Sequence, residues 1–330
     1  MDQKDRVIVI GTSAGGLEAL FRIVPHLAKD LAAPVLVVQH IGAHRSLLPE
    51  LLSSRGSLPA VFAQTRMVPQ AGKIYVAPPD HHLLLEDGAM RLFRGPKEHF
   101  ARPAIDPLFR SAALHSGSRA IGVILTGMLD DGSAGLHAIK ACGGTTIVQD
   151  PAEAIAPSMP QSAISNVQVD HVVGLDAMAN LLNRLAQPVE SGAPSVPEWL
   201  RAEHAISLGQ AHLEDLARVG IPSRFTCPDC GGALTEVQHG KPVRFLCHTG
   251  HAYSLRSLVA AHEVLTEEVL WAGLRALQEK EAILLRLAES QAMEVPGSEE
   301  HTLAEARGLA ALIVQMRAVA QARESSALVA

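Results

Sequence analysis

The chain lacks several features that would send its function elsewhere. It has no excess of base: 34 acidic residues stand against 28 basic ones, for a net charge of −6. Nothing electrostatic therefore favours nucleic acid as the main ligand. No run of 18 apolar residues exists to insert into a membrane,. Only Met-Asp-Gln-Lys-Asp-Arg precedes Val7, which leaves no room for a signal peptide and makes the cytoplasm the expected compartment,. No internal repeat and no low-complexity tract interrupts the 330 residues. Cysteine is scarce, at four, yet Cys227, Cys230 and Cys247 fall within one short stretch. That clustering points to a metal rather than disulfides in a reducing compartment. Hydrophobic residues make up 48% and charged residues 19%, so the chain is globular, with length for a large core and at least one further unit,.

What is present begins at Arg6-Val-Ile-Val-Ile-Gly-Thr-Ser-Ala-Gly-Gly. Val7–Ile10 is an apolar run of the kind buried in a parallel sheet. Gly11, Gly15 and Gly16 permit a tight turn, and Leu17, Leu20, Phe21, Val24 and Leu27 then recur at helical spacing,. Ser13 stands at the turn's apex, beside helix N-terminal N–H groups. That is the geometry of a nucleophile next to an oxyanion site, with a purely structural Gly-rich turn as the alternative. A dinucleotide fingerprint fits less well, because Ser13 takes the middle glycine position. The second strand also ends in Gln39-His40, with no acidic residue for a ribose,.

Residues 1–187 alternate apolar runs with helical patterns. Strands are predicted at Val7–Ile10, Val35–Val38, Val61–Phe62, Lys73–Ala77, His82–Glu86, Arg91–Phe93, Ala120–Leu125 and Thr145–Gln149,. Helices are predicted at Leu17–Lys29, Ser46–Ser53, Ile105–His115, Ser133–Ala141 and Asp176–Leu185,. The fold class is α/β: a doubly wound, mainly parallel sheet in a three-layer α/β/α arrangement. A Pro/Gly/Ser linker at 188–197 and a helical stretch at 198–218 make up a connecting region, 188–222,. A small zinc-ribbon-like module (223–254) and a C-terminal helical hairpin (255–330) follow, the hairpin broken at Pro296-Gly297. Its stripes, Val264-Trp271-Leu274-Leu277-Leu284 and Leu309-Leu312-Ile313-Met316-Val319, suit intramolecular packing; an oligomer or partner surface is the sharper alternative,.

A serine nucleophile needs a base and an acid to orient that base. Ser13 follows the first strand, His40 the second, and Asp130-Asp131 lie in the loop after Ala120–Leu125. All three belong at the carboxyl edge of the sheet, where ligands of such folds bind. His44, His81, His82, His99 and His115 are rivals for the base, and His40 is favoured by its strand-end position. Asp130 and Asp131 stay level on spacing alone.

Six ordered motifs carry a resemblance. They are Gly11-Thr-Ser-Ala-Gly-Gly-Leu-Glu-Ala-Leu, Val37-Val-Gln-His, Tyr75-Val-Ala-Pro-Pro-Asp-His-His-Leu, Arg102-Pro-Ala-Ile-Asp-Pro-Leu-Phe, Leu125-Thr-Gly-Met-Leu-Asp-Asp-Gly and Gln149-Asp-Pro, with Met159-Pro160 beyond. Together, over about residues 5–186, they resemble the catalytic domain of CheB, the chemotaxis receptor methylesterase. The resemblance implies a serine hydrolase that removes γ-glutamyl methyl esters from receptor signalling helices and can deamidate glutamines, with no catalytic cofactor. Ser13 would be the nucleophile, His40 the base and Asp131 the acid, since the family's aspartate directly precedes the glycine. Backbone N–H groups at Ala14 and Met128 would form the oxyanion site. The partner would be a methylated receptor or another signalling protein. Three departures stand out: Ala14 where many members have threonine, no receiver domain before the first strand, and a long C-terminal region. The missing receiver leads to an expectation of basal activity independent of phosphorylation. A docking module built on an esterase fold, and an esterase or amidase acting on another substrate, are the alternatives.

Cys227-x2-Cys230-x16-Cys247-x3-His251 has the spacing of a tetrahedral zinc site, with His248 the rival fourth ligand,. Four protein ligands leave no open position, so the metal would be structural. The linker at 188–197 leads to the expectation that hydrolysis survives loss of this metal.

Overall fold

Val7–Thr12 (β1) is buried at all six positions, as a strand covered on both faces must be. The computed structural model describes residues 5–42, 44–189, 195–210, 213–295 and 298–327. Part of the linker, residues 190–194, and the break at Pro296-Gly297 lie outside them. Seven strands form the main sheet: β1, β2 (Val35–Gln39), β3 (Ala60–Phe62), β4 (Ile74–Val76), and then β7 (Ala120–Ile124), β8 (Thr145–Gln149) and β9 (His171–Val173). Between these groups, β5 (His82–Glu86) and β6 (Ala89–Phe93) make a separate antiparallel hairpin. The sheet order is β3-β4-β2-β1-β7-β8-β9, and every pairing in it is parallel.

The period-2 alternation of the strands builds two core layers. Ile8, Ile10, Val35 and Val37 face one layer with residues of α1 (Gly16–Ile23) and α6 (Leu175–Leu185). Val7, Val9, Leu36 and Val38 face the other with α3 (Ile105–Ser116) and α4 (Ser133–Ala141). Helices α2 (Leu48–Ser53) and α5 (Ser158–Asn166) complete this segment. The chain leaves β1 toward β2 on one side and returns at β7 on the other. The ends of β1, β2 and β7 therefore meet at a topological switch point.

The predicted helix from Leu17 is shorter than expected. Pro25 cannot donate the N–H that an α-helix needs, and Val24–His26 finishes as a 3₁₀ turn,. The stretch at 198–218 is two helices, α7 (Glu198–Ser207) and α8 (Leu213–Val219). An antiparallel sheet follows: β10 (Gly220–Thr226), β11 (Ala233–Val237), β12 (Arg244–Cys247) and β13 (Ala252–Ser254). Its small core, Val237, Leu246 and Ala252, is shared with Ile206 of α7 and Val219 of α8.

The chain forms two compact units, Met1–Leu258 and Val259–Ala330. The second consists of most of α9 (Leu255–Glu294) and of α10 (Glu300–Ala327). Within it, Lys280 pairs with Glu305 at 2.9 Å and Thr302 bonds Gln291 at 2.8 Å, so the two helices run antiparallel. Leu274 and Ile313 of the predicted stripes are buried, while Val264 and Val319 are exposed. Among the described residues no helix is long and apolar enough to cross a membrane.

Candidate active site and cysteine cluster

Ser13 directly follows β1, and backbone bonds fix it: its N–H donates to Thr126 O (3.0 Å) and its carbonyl accepts from Gly16 N–H (2.9 Å). Gly15 holds φ at +77°, a left-handed conformation suited to glycine, so the chain can turn into α1 immediately,. His40 follows β2, its N–H donating to Thr12 O (3.0 Å). The Gln39 amide donates to both Ser13 O (2.9 Å) and His40 O (3.1 Å), tying the two strand ends together.

The side chains converge. His40 Nδ1 lies 3.1 Å from Ser13 Oγ, and His40 Nε2 lies 2.7 Å from Asp131 Oδ2. The tautomer that serves both contacts carries its proton on Nε2 and leaves Nδ1 free to accept from the serine. Asp131 is buried at the N-terminus of α3. Its Oδ2 accepts from Ile105 N–H (2.7 Å) and its Oδ1 from Asp106 N–H (3.1 Å). Burial works against the Asp131 charge, but the His40 hydrogen bond, the charges of His99 and His40 and the Ile105 N–H override it. The carboxyl is held well below its usual range,.

The loop after β7 presses on the serine. A side chain at Gly127 would come within 2.9 Å of Ser13 Cβ and 2.1 Å of Met159 Sδ. Met128, next in line, is exposed. Among the described residues the Ala14 and Met128 N–H groups make no backbone hydrogen bond in these turns. A cavity of about 430 Å³ adjoins His40, walled by Asp80, Lys97, Phe100 and Arg102. A larger one of about 730 Å³, between α7 and α8, brings no serine–histidine pair together.

The rival histidines go elsewhere. His44 is exposed, and His81 bonds Pro79 O. His82 is buried between Pro96 O and Ala104 N–H. His99 has a role that the sequence did not reveal. Its Nε2 bonds Asp106 Oδ2 (3.0 Å) and its Nδ1 bonds Ser257 Oγ (3.0 Å), while Asp130 Oδ1 and Asp131 Oδ1 each lie 4.0 Å away. Burial opposes charge on this ring. The Asp106 hydrogen bond and the charges of Asp131, Asp106 and Asp130 outweigh it and lift the pKa to about 9. His99 thus favours the imidazolium form beside Asp131, while burial and the Asp131 charge push the Asp106 carboxyl above its usual range against the pull of the His99 hydrogen bond and of the His99 and Arg110 charges. No local motif announces this, because Ser257 is 158 residues away in sequence.

In the small sheet, Cys227 and Cys230 lie in the turn after β10, Cys247 ends β12 and His251 precedes β13. Their ligand atoms all lie within 4.8 Å of one another; His248 is not among them. Cys230 Sγ and Cys247 Sγ are 3.9 Å apart, close to the ~3.8 Å that tetrahedral coordination at about 2.3 Å imposes,. Burial alone would raise the Cys247 thiol, but hydrogen bonds with His251 and Thr249 bring it down to about 6. Three sulfurs and one imidazole nitrogen this close together fit a thiophilic dication,.

A profile of the CheB methylesterase family matches residues 8–182. A Leptospira interrogans protein is 41% identical over 182 residues, which take in 54% of this chain and 94% of that one. A protein-glutamate methylesterase/protein-glutamine glutaminase of Pyrococcus abyssi is 37% identical over 191 residues, 56% of this chain and 52% of that protein, so the chain spans about half of its length. The crystal structure of the Thermotoga maritima CheB methylesterase catalytic domain matches with a TM-score of 0.53 and 34% identity. It covers 55% of this chain and 98% of that one. The family profile ends before α7, so the cysteine sheet lies outside it.

Proposed function

The chain belongs to the CheB methylesterase family, and on that premise we propose that Ser13, His40 and Asp131 hydrolyse γ-glutamyl methyl esters on a receptor or receptor-like signalling protein. The observation that carries this reading is the pair of contacts on one ring, His40 Nδ1 to Ser13 Oγ and His40 Nε2 to Asp131 Oδ2. Ser13 Oγ attacks the ester carbonyl while Nδ1 takes its proton. Asp131 holds the ring in the required tautomer and balances the imidazolium that forms. The developing oxyanion has the Ala14 and Met128 N–H groups as donors. His40 then protonates the leaving methanol. Water, activated by the same nitrogen, releases glutamate from the acyl-enzyme. A glutamine side chain enters the same cycle with ammonia as the leaving group.

Cys227, Cys230, Cys247 and His251 would hold a structural zinc. The reducing cytoplasm keeps such thiols available as ligands. A sheet this small, with a core of a few apolar residues, gains much of its folding free energy from such an ion. The metal would take no part in the chemistry.

The test is methanol release from a methylated receptor signalling fragment. Wild-type chain releases methanol and Ser13→Ala does not. Receptor binding without methanol release by wild-type protein would instead identify a docking module.

A further inference from the structure

The segment Glu98–Arg102 joins the two sites. His99 and Phe100 sit at φ +49° and +63°, adjacent left-handed residues, neither of them glycine. Such a pair persists only where its surroundings hold it. Here the cysteine sheet does so. His99 N–H donates to Ala252 O at 3.0 Å, and Glu98 bridges Ala252 in parallel. The Phe100 ring meets Tyr253 edge-on at 5.9 Å. Tyr253 in turn bonds Asp229, and its hydroxyl lies 3.8 Å from Cys227 Sγ. Just beyond β13, Ser254 and Ser257 cap α9 reciprocally, each N–H donating to the other's hydroxyl (2.8 and 3.0 Å),. These hydroxyls also point away from the helix: Ser257 Oγ meets His99 Nδ1 and Ser254 Oγ donates to Asp130 Oδ1 at 2.6 Å. On the opposite side, His99 reaches Asp106, whose N–H grips Asp131. Phe100 and Arg102 wall the cavity beside His40.

We propose that His99 is a positioning residue for the Asp131–His40 pair and that the cysteine sheet, when its metal is bound, holds His99 in place. Resting on the esterase reading above, this makes hydrolysis respond to an ion that never meets substrate. The metal fixes the turns bearing Cys227, Cys247 and His251. Those turns fix Ala252–Ser257, and Ala252–Ser257 fix the strained loop. Loss of the ion frees the loop to relax out of its left-handed conformation. His99 then withdraws from Asp106, and the floor beneath Asp131 loosens.

The readout is the rate at which a fluorophosphonate labels Ser13 in the full-length, zinc-loaded chain. Labelling needs only a reactive serine. If wild-type Ser13 fails to label, the esterase reading fails and the coupling to it falls with it; with a wild type that labels, the variants below test the coupling alone. Ser257→Ala, which takes the hydroxyl from His99, is expected to slow labelling about tenfold with zinc still bound, the scale of one hydrogen bond to a charged group. Ser257→Thr keeps the hydroxyl and should restore most of the rate. Chelation should slow labelling by a similar or larger factor, and zinc should restore it. Cys142→Ser, at a buried thiol outside the cluster, is the control and should behave as wild type. Wild-type labelling by Ser257→Ala, or equal slowing in Ser257→Ala and Ser257→Thr, would overturn the role of His99. Wild-type labelling by the metal-free chain would overturn the coupling. If the metal-free chain unfolds, the Ser257 pair still decides the first point, and wild-type labelling by zinc-loaded Phe100→Ala, which removes the contact with Tyr253, would overturn the second.

Discussion

The Ser254 hydroxyl, at the end of β13, donates to Asp130 Oδ1 at 2.6 Å, one residue before Asp131. Adjacent aspartates thus serve different masters: Asp130 faces the C-terminal sheet and Asp131 faces His40. Asp130→Asn keeps a carbonyl oxygen for Ser254 and should lower methanol release only a few-fold. Asp131→Asn offers the imidazole the wrong hydrogen-bonding partner and should lower it by about 10³–10⁴, as in other serine triads. Steady-state rates of the two variants, compared side by side, check the assignment; the opposite order would move the catalytic role to Asp130.

Ser13→Ala should fold normally and lose turnover by about 10⁵-fold or more, because the attacking oxygen is gone. Circular dichroism and methanol release on one preparation test this. Methanol release at the wild-type rate would remove Ser13 from the reaction.

Glu203 of α7 is buried between two cations. Its carboxylate pairs with Arg244 of β12 and lies 3.7 Å from Arg110 of α3, which itself pairs with Glu98 at 2.9 Å. This chain of charges crosses from the α/β core to the cysteine sheet, so the independence expected from the 188–197 linker gives way to a shared buried network. Glu203→Gln strands charge on Arg244 and should cost about 3–5 kcal/mol. Thermal denaturation of the zinc-loaded protein measures it. An unchanged midpoint would mean that solvent reaches the pair.

The His99 charge gives stability a pH dependence. Its folded pKa, about 9, lies above the ordinary ~6.5. The stabilisation is therefore complete below about pH 6.5 and disappears as pH rises through about 9. Asp131 behaves oppositely: its depressed pKa stabilises above the ordinary carboxylate range and that contribution is lost as pH falls,. The unfolding midpoint of zinc-loaded wild type should fall between pH 6.5 and 9.5, and His99→Gln should flatten that slope. An equal slope in both proteins would locate the titrating group elsewhere.

Metal analysis should give about one zinc per chain, as one four-ligand site requires. Cys247→Ser should lower occupancy and His248→Ala should not. Full occupancy in Cys247→Ser would redraw the ligand set.

The meeting of Ser13, His40 and Asp131 was legible because each follows an apolar run by a short turn or loop. Val7–Ile10, Val35–Val38 and Ala120–Leu125 could only be buried parallel strands, and their ends had to share one edge. Elements without such patterns escaped. The edge strand β9 is three residues, partly exposed, and α5 carries too few apolar residues for a visible stripe. His99 and Glu203 were illegible for another reason. Their partners are set by how distant segments dock, Ser257 on one ring and Arg244 on one carboxylate, and no spacing within either segment encodes that.

Leu200 of α7 is wholly buried in the same core layer as Val7, Val9, Leu108 and Phe109. The boundary that composition draws at the linker is therefore not a boundary of cooperativity. A fragment stopped at residue 187 would present an apolar socket where Leu200 belongs and would leave Arg110 and Glu98 facing water. Such a fragment would carry Ser13, His40 and Asp131 yet melt as a weakened body, whereas residues 5–258 should unfold in a single transition. Grafting this catalytic segment onto another tail would accordingly mean redesigning its underside, not only its last loop.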